Sequence, residues 1–167
     1  KNTLKKLLEE FSHIDIKVIR NSYNIGLTGN ILKCFEICED PWLWVLGDDD
    51  EVTDGAVARI LNDIDLKREL HFITYAWDPD SFKRKEEVIT TGIDQFLETF
   101  ETFGAVLFLS TSVYNMNKVV ESMSFAHFFQ TSYAPHLVML LMSLGDEGQC
   151  AYSNNQIVVN KAEDTPR

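Results

Sequence analysis

Three consecutive carboxylates, Asp48-Asp49-Asp50, stand directly after the apolar run Trp42-Leu43-Trp44-Val45-Leu46-Gly47. Carboxylates crowded in this way repel one another until water or a cation relieves them. A hard dication such as Mg²⁺ takes oxygen ligands and commonly bridges one or two carboxylates to phosphate groups. The chemistry these residues suit is therefore metal-assisted binding of a phosphate-bearing ligand. Acidic turns also occur for a plainer reason, since a carboxylate near a helix N-terminus is favoured by the macrodipole. An EF-hand is excluded: with the register started at Asp50, Asp54 and Gly55 fall correctly, but Val52 and Leu61 occupy ligand positions.

A second polar stretch lies upstream. Asn21-Ser22-Tyr23-Asn24-Ile25-Gly26-Leu27-Thr28-Gly29-Asn30 is a glycine-bearing loop, and Ile31, Cys34, Phe35 and Cys38 follow it at helical spacing. Backbone N–H groups where a loop enters a helix can hold a phosphate, although this loop is neither a Walker A sequence nor a dinucleotide fingerprint. Cys34 and Cys38 could pair on a zinc ion, but they read more simply as small residues of an apolar face.

The elements that must position these groups follow from hydrophobic period. Leu4, Leu7, Leu8 and Phe11 predict a helix, and Asp15 to Arg20 a strand. Trp42 to Leu46 reads as a buried strand, so the aspartates stand at a strand end, the edge where ligands bind in open sheets. Thr53 is placed to cap a helix bearing Val57, Ile60, Leu61 and Ile64. His71 to Trp77 is a further strand, closed by Asp78-Pro79-Asp80, and Lys83 to Glu87 is a charged excursion. Thr91 and Asp94 fit a capping box ahead of Ile93, Phe96, Leu97 and Phe100. A strand is expected over Gly104 to Leu109, a weak helix over Asn117 to Met123, and a buried helix over His136 to Leu144 behind Pro135. The aromatic stretch Phe125 to Phe129 is expected to pack inward, and Gln156 to Asn160 to close the chain as a strand. Strands alternating with helices predict an α/β fold, with a mostly parallel sheet and helices on both faces.

Composition narrows the class. The chain has 167 residues, 45% of them apolar, which is enough for one core and one domain. A formal charge of −11 argues against nucleic acid as a partner and in favour of a cation between the acids and any anionic ligand. Three cysteines make no disulfide framework, which points to a reducing compartment. No apolar run approaches the ~20 residues needed to span a bilayer, and Lys1 to Phe11 is amphipathic and mixed in charge, unlike a secretory signal.

Asn24-x-Gly26, then Asn30 opening a helix, then a hydrophobic strand ending Trp44-Val45-Leu46-Gly47-Asp48-Asp49-Asp50, resembles the family 2 glycosyltransferases. The resemblance implies the GT-A fold, with residues 1–80 as a donor-binding half and 81–167 as an acceptor-binding half. It also implies inverting transfer of a sugar from a nucleotide-diphosphate donor, often in surface polysaccharide biosynthesis. Asp48-x-Asp50 matches the family's DxD motif. On that pattern Asp50 leads in holding Mg²⁺ or Mn²⁺, Asp48 reaches the ribose or the metal's water shell, and Asp49 shares either role. Asn24, Gly26 and Asn30 would line the donor pocket. The acceptor would be a saccharide or a lipid-linked saccharide, which implies a cytoplasmic protein and leaves open peripheral association with the inner face of the membrane.

The chain departs from the family pattern twice. Members begin with a strand and a Pro-x-Tyr-Asn-like turn, which nothing here matches, so the domain is expected to lack its first βα unit. Members also carry an acidic general base just before the helix equivalent to His136 to Leu144, whereas Thr131-Ser132-Tyr133-Ala134-Pro135-His136 holds no carboxylate. His136 is the nearest proton acceptor and Asp78, at a strand end, the second. His127, among aromatics, reads as a packing residue. Two other functions compete. Asp48-x-Asp50-x-Val52 also resembles the nucleophile motif of haloacid-dehalogenase-type phosphatases, with Asp48 attacking phosphorus and Asp50 as acid and base. That family needs a later acidic pair; Gly145-Asp146-Glu147 approaches one, but Cys150 stands where the second Asp would fall. A non-catalytic module binding sugar nucleotides is the third reading.

Overall fold

The structure is a computed structural model that describes residues 2–77, 86–99 and 104–160. The order along the chain is α1 (Asn2–Glu10), α2 (Gly26–Glu36), β1 (Trp42–Trp44), β2 (Asp50–Val52), α3 (Ala56–Leu66), β3 (Phe72–Ala76), β4 (Val88–Thr91) and α4 (Gly92–Thr99). It continues with α5 (Gly104–Leu107), β5 (Ser112–Asn115), α6 (Met116–Val119), α7 (Met123–Phe128), α8 (Pro135–Leu144), β6 (Gln149–Gln156) and β7 (Val158–Asn160).

Five strands form the main sheet in the order β1-β5-β3-β6-β4, and β2 pairs with β7 in a separate ribbon. The α/β class holds, but strand direction departs from the expectation of a mostly parallel sheet. Among the described residues only β3 and β6 pair in parallel; β1–β5, β5–β3 and β6–β4 are antiparallel. Two of these three antiparallel pairs follow from β5, which enters between β1 and β3 against both. It follows the short helix α5 and a single 3-10 turn, Leu109–Thr111, rather than a full crossover helix. The entry has a consequence for function, because the start of β5 lies at the same edge as the ends of β1 and β3.

Alternation along the strands divides the interior into two cores. Phe72, Tyr114, Cys150 and Tyr152 meet Ile31, Leu32 and Phe35 of α2, Phe96 of α4, and Met139, Leu140 and Leu144 of α8. Ile73, Tyr75, Val113 and Ala151 face the other way, toward Ala56 and Ile60 of α3 and Ile157 and Val158. Helices therefore cover both faces, as expected. Aromatic edges lock the first core, with Phe35 on Tyr114 at 5.0 Å and Phe72 on Phe96 at 5.5 Å between ring centroids.

Several local expectations are corrected. Residues 15–20 form no strand, and Ile16, Val18 and Ile19 are exposed; among the described residues no strand pairs with them, and an unpaired strand has no ladder to hold it. Gly104 to Leu109 is helical at its start, and the strand begins later, at Ser112. Val88–Thr91 and the long β6 were not anticipated, and the closing strand is the shorter Val158–Asn160. Thr53 caps nothing: its hydroxyl donates to the Gln156 carbonyl at 3.0 Å. In the expected capping box the side chain that reaches back is Gln95, whose Oε1 accepts the Thr91 N–H at 2.9 Å, rather than Asp94. Phe125, Phe128 and Phe129 are exposed rather than packed inward, Phe128 to 80%. Asp78, residues 83–85 of the charged excursion and Phe100 lie outside the described residues.

Candidate active site at the rim of the sheet

Chain direction places the acidic run and one serine at the same rim. Trp44 pairs with Val113 in the antiparallel β1–β5 ladder. Beyond the ladder, Gly47 lies three positions past Trp44 and Ser110, in the 3-10 turn, three before Val113, and the Gly47 N–H donates to Ser110 Oγ at 2.8 Å. Ser110 Oγ in turn donates to Asp50 Oδ2 at 2.5 Å. The Trp44 indole N–H donates to the Ser110 carbonyl at 2.8 Å. Ser110 is 2% exposed.

The three aspartates thereby acquire different environments. Asp48 and Asp49 are exposed, whereas Asp50 is half-buried. Its Oδ2 is taken by Ser110, while its Oδ1 is shut off from solvent and has no hydrogen-bond partner. Buried polar atoms without partners are rare in native proteins and call for an unsatisfied ligand or a functional reason. Gly47 supplies the space, since a Cβ there would lie 2.6 Å from Asp50 Oδ2 and 3.0 Å from Asp49 Oδ1. Beyond Asp50 the chain pairs with β7, Asp50 opposite Asn160, and the Thr53 N–H donates to the Ile157 carbonyl at 2.9 Å, so the acidic loop is anchored on both sides.

The residues present fit a divalent cation in one respect and leave it incomplete in another. Asp50 Oδ1 is a free anionic oxygen on an immobilised carboxylate. Among the described residues no cluster of three or more His, Cys, Asp or Glu side chains is assembled around a common point. A cation here would draw the rest of its shell from water and from the oxygens of a bound ligand, as Mg²⁺ ordinarily does.

The upstream loop builds a different feature. Asn24 Oδ1 accepts the Gly26 N–H at 2.9 Å, an Asx turn that starts α2, and Asn21 Nδ2 donates to Asn30 Oδ1 at 2.8 Å. Gly26 takes φ +75°, the left-handed region that glycine favours. A cavity of about 620 Å³ opens beside this loop, with Asn24, Gly29, Glu36, His127 and Gln130 among its walls. Its walls include none of Asp48, Asp49 and Asp50. Asn24 and the acids thus stand in separate features, and His127 faces this cavity, its Nε2 3.3 Å from Glu36 Oε1.

His136 stands apart from both. It occupies the first turn of α8, 2% exposed, with neither ring nitrogen in a hydrogen bond. Burial pushes its pKa down to about 4, opposed in part by the backbone of Val106. The ring is therefore neutral at pH 7, the form that accepts a proton, although burial withholds it from solvent. Ser110, Gly47 and Trp44 were not singled out from sequence. The available signal was a glycine directly before three acids, where close approach of a side chain is the usual reason for Gly.

The cysteines stay free thiols: Cys34 and Cys38 are half-buried, and burial pushes Cys150 up to about 12 against the opposing hydrogen bond to Thr90.

The family model for glycosyl transferase family 2 matches residues 1–118, and the chain belongs to that family. No curated protein matches the chain. Among the described residues no helix is long and apolar enough to cross a membrane.

Proposed function

We propose that this chain binds a nucleotide-diphosphate sugar at the acidic rim, through Mg²⁺ or Mn²⁺ held by Asp50 and Asp48, and transfers the sugar with inversion to a saccharide or lipid-linked acceptor. The observation that carries the reading is Asp50 Oδ1, an unpartnered buried oxygen on a carboxylate fixed by Ser110. A bound dication would supply charge stabilisation to the departing diphosphate. The chain's own residues do the remainder. Asp50 orients its free oxygen, and exposed Asp48 and Asp49 reach the ribose or metal-bound water; the loop of Asn24, Gly26 and Asn30, whose cavity is separate from the rim, enters the donor site only by the family resemblance. Inversion needs one base on the acceptor hydroxyl. Asp78, which follows Trp77 just past the end of β3, is the candidate by place in the chain, whereas His136 is neutral but buried apart from the rim. Membership of a transferase family favours this reading over the phosphatase one. The exposed rings of Phe125, Phe128 and Phe129, the last two in edge contact at 5.0 Å, are the apolar groups for the lipid of an acceptor or for peripheral contact with the inner face of a membrane.

Calorimetry with a panel of nucleoside diphosphates, with and without Mn²⁺, tests the proposal. Binding should require the metal and should be lost in Asp50→Ala. Metal-independent binding, or binding indifferent to that substitution, refutes it.

A further inference from the structure

The acidic loop is tied at three points to one residue outside it. Trp44 holds the Ser110 carbonyl, Gly47 donates to the Ser110 hydroxyl, and that hydroxyl donates to Asp50. We propose that Ser110 is a positioning residue, which fixes the Asp50 carboxylate so that Oδ2 is engaged and Oδ1 is presented to the cation. The inference rests on the reading of the rim as a cation and diphosphate site.

A serine hydroxyl has one hydrogen to give. The Gly47 N–H occupies a lone pair of Ser110 Oγ, and the hydrogen goes to Asp50 Oδ2 at 2.5 Å. A hydroxyl bonded to a carboxylate is short and strong because the acceptor is charged. The bond removes the equivalence of the two carboxylate oxygens. Without it the carboxylate could turn about its own bond and present either oxygen, or neither. Gly47 forms the other wall, because a Cβ at that position would lie 2.6 Å from Oδ2. With both hydrogen-bonding directions committed and only 2% exposure, Ser110 is neither a nucleophile nor a substrate contact. Its reach to the rim follows from topology, since only a strand running against β1 brings its leading residues beside the end of β1.

Two substitutions disturb the carboxylate independently. Ser110→Ala removes the bond, and Gly47→Ala fills the space that Oδ2 occupies while leaving the hydroxyl in place. Mn²⁺ alone is titrated into the full chain and followed by loss of the free-ion electron paramagnetic resonance signal, with urea unfolding measured on the same proteins. Outer partners of metal ligands are worth roughly 10–100-fold in affinity, so each substitution should weaken Mn²⁺ binding by about tenfold or more in protein that is still folded. Folded Ser110→Ala that binds Mn²⁺ as tightly as the unsubstituted chain overturns the inference. Should Ser110→Ala fail to fold, undiminished affinity in Gly47→Ala overturns it equally. Asp50→Ala separates the two levels. Loss of Mn²⁺ binding there with none in Ser110→Ala leaves the rim reading standing and sinks the role of Ser110. Undiminished binding in Asp50→Ala sinks both.

Discussion

His136 makes the fold sensitive to acid in a definable window. The ring is 2% exposed in the first turn of α8, and burial lowers its pKa from 6.5 to about 4. The folded state therefore holds the neutral ring, and as pH falls the unfolded chain takes up the proton first. Stability from the neutral ring is fully present above pH 6.5, declines as pH falls from there toward 4, and is gone below. The gap between 6.5 and about 4 corresponds to about 3 kcal/mol in total, and about 2 kcal/mol of it should be lost by pH 5. Against a typical unfolding free energy of about 5–15 kcal/mol, the loss is readily measured. Urea unfolding followed by tryptophan fluorescence between pH 7.5 and 5, on the native chain and His136→Phe, isolates the effect. His71, which burial and then Lys118 also push downward, is present in both proteins and cancels. The advantage of the native chain over the variant should shrink by about 2 kcal/mol across this range. A difference independent of pH would refute the assignment of a buried neutral imidazole.

Three further outcomes are expected. Tyr75→Phe removes the hydroxyl that donates to buried Asp63 Oδ2 at 3.0 Å and leaves that carboxylate to Lys67 at 3.4 Å; urea unfolding should show a loss of about 1–3 kcal/mol. Gly92→Ala places a side chain at φ +74° with its Cβ 2.6 Å from the Asp146 carbonyl oxygen, and should lower the urea midpoint by the equivalent of about 2 kcal/mol or more. Phe128→Asp, at a ring 80% exposed, should change stability by no more than about 0.5 kcal/mol while reducing sedimentation with phosphatidylcholine vesicles. Unchanged sedimentation would refute a membrane-facing role for the aromatic face.

Period and punctuation were legible where one face of an element was apolar. The helices under Ile31 and Phe35, Ile60, Phe96 and Leu140 fall where their spacing puts them, as does the strand Phe72–Ala76, which is buried along its whole length. Legibility failed where a buried strand is built from polar residues. β5 reads Ser-Val-Tyr-Asn and β6 begins Gln-Cys-Ala-Tyr-Ser, yet they lie at the middle of the sheet, where several of their polar atoms find partners while Asn115 Oδ1 has none. Thr74 Oγ1 meets Ser112 Oγ at 2.5 Å, Asn115 Nδ2 donates to the Leu70 carbonyl at 2.9 Å, and Thr90 Oγ1 meets Cys150 Sγ at 2.9 Å. Partners of this kind are separated by tens of residues and leave no periodic trace.

The same distance in sequence explains the site. Asp48-x-Asp50 is a local pattern and could be found by reading along the chain. What distinguishes its members is Ser110, 60 residues away, reached only because β5 enters the sheet in reverse. Three adjacent aspartates are chemically equal in sequence, and the fold makes them unequal by giving one of them a hydroxyl and a glycine wall. The element that was misread, a strand expected over Gly104 to Leu109 and found at Ser112–Asn115 running against its neighbours, is therefore the one that makes one carboxylate of an acidic turn an oriented one.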